Sequence, residues 1–184
     1  SAKLRSKQER ADLITLAAAA LLLRGGERVG ILGSGDAPCS GRAGFNRFAD
    51  AMLGRPEMTT GLPPADYLPR YAQVILVSDF LDPPEEIARL IAAYAKRNVR
   101  GTLLQILDPA EETLPYRGRV RFEGLEGEGS MLIQRTEALR GDYVNRLRAH
   151  RETLRDIAGR QGWAFELHHT DQSPENALMT LYMG

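Results

Sequence analysis

Apolar and polar positions follow two rhythms along this chain, and the switch between them marks its elements. Leu13 to Leu23 is apolar except at Thr15. Ala11 to Arg24 therefore reads as a helix, opened by a capping box at Ser6 and Glu9 and closed by Gly25 and Gly26. Its apolar character on nearly every side predicts burial against a sheet. Arg28 to Leu32 reads as a short strand, Gly33 to Gly44 as a Gly- and Ser-rich loop, and Phe45 to Leu53 as a helix. Pro56, Pro63, Pro64 and Pro69 exclude a long regular helix over 54–70.

The central stretch is QVILVSDFLDPPEE, Gln73 to Glu86. Val74 to Val77 is too short a run for a helix and predicts a strand buried on both faces. Pro83 to Glu86 open a helix that continues over Ile87 to Arg97, with Ile87, Leu90, Ile91 and Tyr94 on one face and Asn98 as its end. Thr102 to Leu107 repeats the pattern as a second buried strand, again followed by Asp and Pro. From Leu114 to Arg135 the pattern changes to alternation, with a turn over Gly124 to Gly129. Tyr116, Gly118, Val120 and Phe122 face one way and Arg117, Arg119 and Arg121 the other, which predicts a hairpin returning through Met131 to Gln134. A long helix marked by Leu139, Tyr143, Leu147, Leu154 and Ile157 ends near Gly162; Trp163 to His169 is a last strand, and Ser173 with Pro174 starts a final helix. This order predicts an α/β fold with a mainly parallel sheet, helices on both faces and a β-hairpin insertion.

Composition narrows the partners. The 184 residues fit a single domain, and 24 basic against 24 acidic residues leave no net charge to attract nucleic acid. Nearly all the basic residues are Arg, with Lys only at positions 3, 7 and 96. The single cysteine, Cys39, forms no internal disulfide and fits a reducing, cytoplasmic setting. The 11-residue run Leu13–Leu23 falls far short of the roughly 20 residues that cross a bilayer, so no membrane segment is expected. With no initiator Met and no signal-like start, Ser1 reads as a position inside a longer protein.

The candidate chemistry lies at strand ends. Asp79, Asp82, Asp108 and Asp171 follow predicted strands, and parallel strands would gather them on one rim, where carboxylates could hold Mg²⁺. Helix capping is the simpler role for Asp82 before Pro83, and for Asp108 before Pro109 with Glu111 three residues on. Asp79 is harder to explain as a cap and is the preferred metal ligand. His168 and His169 point to opposite faces of a strand and should not share one ion. Ser34 lacks the frame of a nucleophile elbow. Gly33 and Gly35 begin a dinucleotide pattern, but Pro38 stands where its third Gly belongs, so the loop reads as a connector. Arg146, Arg148, Arg151 and Arg155 read as a solvated helix face.

VSDFLDPPEE, LLQILDPAEETLPYRGRVRFE and the helix beginning near ALRGDYVNRLRAH together resemble the bacterial family called domain of unknown function 58, from about Lys7 to the C-terminus. Such proteins look like von Willebrand factor A domains, whose sheet carries a metal-ion-dependent adhesion site on its C-terminal rim. That site takes a D-x-S-x-S motif, a Thr from a later loop and an Asp after a central strand. The resemblance assigns Asp79 to the last and Thr60, with Thr59 beside it, to the second. D-x-S-x-S is missing: Asp171, Gln172 and Ser173 echo it by chance, with Glu175 where its second Ser belongs. The resemblance thus implies a single domain over 1–184 without its first strand and a partial metal site for Mg²⁺. It further implies an association with MoxR-type AAA+ ATPases, and the function expected is that of a non-enzymatic interaction module. The alternatives are a metal-assisted hydrolase using the carboxylate rim and a metal-free scaffold.

Overall fold

A computed structural model describes residues 6–54, 62–63, 68–113, 120–122, 131–133 and 136–183, with the elements at 113, 120–122, 131–133 and 136–140 described by backbone alone. Three strands, β1 (Gln73–Ser78), β2 (Arg100–Leu107) and β5 (Ala164–His169), form a parallel sheet in the order β1-β2-β5. Period two along these strands sorts side chains between the faces. Val74, Leu76 and Leu103 pack beneath α3 (Pro84–Ala95) and α5 (Thr136–Arg160), through Ile87, Leu90, Ile91, Tyr94, Leu154 and Ala158. Leu104 and Ile106, with Ile75 and Val77, pack against α1 (Lys7–Arg24) and α6 (Glu175–Met183) through Ile14, Ala18, Ala177 and Leu181. The expected parallel sheet with helices on both faces is the observed fold.

Helix α1 serves two layers. Ala19 and Leu23 leave the sheet and join Cys39, Phe48 and Met52 in a third cluster with α2 (Gly41–Leu53). This explains an apolar helix with few polar positions: it meets the sheet, α2 and α6. The strand expected over Arg28–Leu32 does not join the sheet. Only Val29 pairs, as an isolated antiparallel bridge to Cys39, because Val29 and Ile31 turn into the α1–α2 cluster and Gly33 takes a positive φ that ends the extended run.

The strands end where expected, and two helix starts differ. Asp108 caps α4 (Pro109–Thr113): its Oδ1 accepts from Ala110 N at 2.8 Å while Glu111 Oε2 accepts from Asp108 N at 3.1 Å, a capping box. Asp82 is not the cap of α3. Pro83 occupies that position without a side-chain bond, since Pro84 at the first helical position forces the preceding residue extended, at ψ 129°. Helix α2 begins at Gly41, ahead of Phe45. Asn98 turns the chain after α3 in the left-handed conformation, φ 58°. The separate ribbon of β3 (Val120–Phe122) and β4 (Met131–Ile133) pairs antiparallel; the alternating Arg117, Arg119 and Arg121 have no described side chains.

Candidate functional site

Register decides what meets on the rim. Ser78 pairs with Gln105, and Leu107 with His169, so Asp79, Asp108 and Thr170 leave the sheet on the same side. The turn after β1 is held at three points. Gln105, buried in the middle strand, donates to the Asp79 carbonyl at 2.7 Å. Ser78 Oγ accepts from Phe80 N at 3.1 Å. His150 of α5 places Nε2 2.6 Å from the Phe80 carbonyl oxygen, and because a carbonyl only accepts, Nε2 carries the proton. Phe80 itself is 1% exposed yet sits at φ 50°, a left-handed conformation rare for a bulky residue, which costs roughly 1–3 kcal/mol and persists only because its surroundings impose it.

The Asp79 carboxylate is engaged. Lys7, at the start of α1, places Nζ 3.0 Å from Asp79 Oδ2 and 2.6 Å from Glu111 Oε1. Burial pushes the ammonium pKa down, but bonds to Glu111 and Asp79 outweigh it and hold Lys7 above its usual 10.5. Tyr143 of α5 feels the charge of this group: burial, then the negative charge of Glu111, raise its pKa above the usual 10.

Beside it a second ionic group joins α4, α5 and β5. Glu112 bonds Arg151, and its Oε2 lies 2.6 Å from His169 Nε2. Burial would raise the Glu112 pKa, but Arg151 and His169 outweigh it and hold the carboxyl below 4.5. A cavity of about 280 Å³ opens here, lined by Glu112, Val144, Leu147, Arg148 and Arg151. Asp108 completes the rim, its Oδ2 accepting from Thr170 Oγ1 at 3.2 Å.

A family model described as Protein of unknown function DUF58 matches residues 1–153. The chain belongs to the DUF58 family. No curated protein and no solved structure matches the chain. The DUF58 match stops short of β5 and α6, so it covers Lys7, Asp79, Glu111 and Glu112 but not His169.

In this DUF58 chain the rim gathers Asp79 and Asp108 from the expected carboxylates. Thr60 and Thr59 lie outside the described residues. For the Mg²⁺ that the resemblance implies, the donor set is a poor fit: the Asp79 oxygen aimed into the rim is bonded to an ammonium. Among the described residues no group of three or more His, Cys, Asp and Glu is placed to hold a metal ion. His168 and His169 do part to opposite faces. His168 is 2% exposed with no partner at Nε2, while His169 reaches Glu112. Ser34 is a turn residue, donating to Ile31 O and accepting from Asp36 N.

Several rim residues gave little sign in the sequence. Arg151 read as part of a solvated face, yet it is half-buried against Glu112. Glu111 read as part of the Asp108 cap, which it also is, and Glu112 carried no reading of its own. Lys7 had one usable signal: a cation at the first position of a helix opposes the macrodipole and asks for a tertiary explanation.

Proposed function

We propose that this DUF58 chain is a non-enzymatic interaction module that docks a protein partner on the rim at the C-terminal ends of β1, β2 and β5. One observation carries the reading: the carboxylates that meet there are already engaged. Asp79 and Glu111 bond Lys7, Glu112 bonds Arg151 and His169, and Asp108 caps α4. General acid–base work favours a carboxyl whose pKa is brought towards neutrality. Glu112 is moved the other way. A rigid, charge-lined surface with a strained turn at its centre suits recognition instead. The partner implied by the family resemblance is a MoxR-type AAA+ ATPase.

Calorimetry with a purified MoxR-type ATPase from the same genome tests this. Binding that weakens about tenfold or more in Asp79→Ala, a loss of about 1.4 kcal/mol, and that survives Met179→Ser on exposed α6, supports rim docking. Phosphoesterase turnover that disappears in Asp79→Ala would overturn it in favour of a metal-assisted hydrolase.

A further inference from the structure

Lys7 occupies an unfavourable place for a lysine. It is the first residue of α1, where the helix end carries partial positive charge and cations are disfavoured. The capping box there is complete without it, through Ser6 and Glu9. In a chain with 24 basic residues, only three of them Lys, this side chain reaches across 72 positions to Asp79 and 104 to Glu111. A compact ammonium on a flexible stem can satisfy two carboxylates from different elements, whereas a guanidinium fork favours one carboxylate bidentately. All three side chains are about two-thirds buried, which limits screening by solvent.

We propose that Lys7 is a tethered cation that takes the place of a divalent metal on this rim and keeps such ions from Asp79 and Glu111. The chemistry follows from the distances. Mg²⁺ and Mn²⁺ need oxygens at about 2.0–2.2 Å in a near-octahedral set, and the Asp79 oxygen facing Glu111 is held by Nζ. A dication at that position would be repelled by the ammonium and would need Lys7 to swing out, breaking its bonds to Asp79 and Glu111. Glu111 cannot turn away freely, because its other oxygen accepts from Asp108 N. The backbone of Asp79 is held as well, since Gln105 donates to its carbonyl. Metal entry and the Lys7 bridge are therefore mutually exclusive, while Arg10, which donates to the Thr170 carbonyl at 2.6 Å, still holds the first turn of α1 to the rim. The inference rests on the proposed function only in treating Asp79 as the docking carboxylate of the rim, and its test needs no partner, so the two can fail separately.

The test is Mn²⁺ titration by calorimetry of the wild-type chain, Lys7→Met and Lys7→Gln, each also carrying Asp79→Asn as a site control. Either Lys7 variant should bind Mn²⁺ about tenfold tighter or more than wild type, because a unit charge a few ångströms from the dication is removed. The gain should vanish with Asp79→Asn. Equal affinity in wild type and variants, including no binding in any, overturns the proposal. Asp79-dependent Mn²⁺ binding to the wild-type chain would overturn it as well, and that arm is decisive if circular dichroism shows both variants unfolded.

Discussion

His168 is the residue whose chemistry sits least easily in its surroundings. Burial, then Arg10 and His169, hold its pKa below 6.5, and only Asp171 acts in the other direction. Its neutral form is thus favoured in the fold, while the unfolded chain takes up the proton more readily. The native state loses stability as pH falls below about 6.5, because protons then bind preferentially to the unfolded chain. Glu112 adds to this at lower pH: its depressed pKa stabilises the fold above 4.5 and that contribution is lost as pH falls through the folded value. Lys7 acts at the alkaline end, its contribution present below 10.5 and lost as pH rises through its raised value. Urea melts from pH 8 to 5 should show a falling midpoint, and His168→Gln should flatten the part of that slope near pH 6.5. An unchanged slope in the variant would remove His168 from the explanation.

At the scale of elements, the sheet depends on one close approach. Gly101 of β2 pairs with Val74, and a Cβ there would lie 2.4 Å from the Val74 carbonyl oxygen and 2.6 Å from the Trp163 ring. Trp163 has little room to retreat, stacked 6.1 Å from Tyr94 with its indole N–H donating to the Val99 carbonyl. Gly101→Ala should destabilise the fold by about 1–3 kcal/mol or more, because both neighbours are backbone or a buried ring. Thermal or urea unfolding checks this, and a variant as stable as wild type would show that β1 and β2 can part without penalty. The elements themselves were legible where burial is two-sided: Val74–Val77 is a continuous apolar run, and Thr102–Leu107 is broken within its apolar residues only by Gln105, because helices cover both faces. Val29 and Ile31 looked the same locally, but their partners are helices, and a short apolar run does not say which layer it meets. Asp82 failed as a cap because two consecutive prolines moved the helix start by one residue. The rim was half legible. Strand ends announced Asp79 and Asp108, whereas the pairing of Lys7 with residues 72 and 104 positions away is set by topology alone.

For the whole molecule, α1 joins the sheet, the α1–α2 cluster and the rim. It touches the sheet through Ile14 and Ala18, α2 through Ala19 and Leu23, and the rim through Lys7. Among the described residues no helix is long and apolar enough to cross a membrane, in keeping with α1 spending its apolar surface on these contacts. Loss of α1 from the sheet would therefore open the rim and the α1–α2 cluster together. That cluster holds Cys39, 8% exposed, with its thiol directed at the carbonyls of Val29 and Gly44. As the chain's single thiol, it is a natural stopwatch for that opening. Its reaction with a disulfide reagent under native conditions should run far slower than that of a free thiol, at a rate proportional to the open population. If α1 moves as one unit, Lys7→Met should quicken the clock at Cys39, on the far end of the helix, without any change at the sulfur itself.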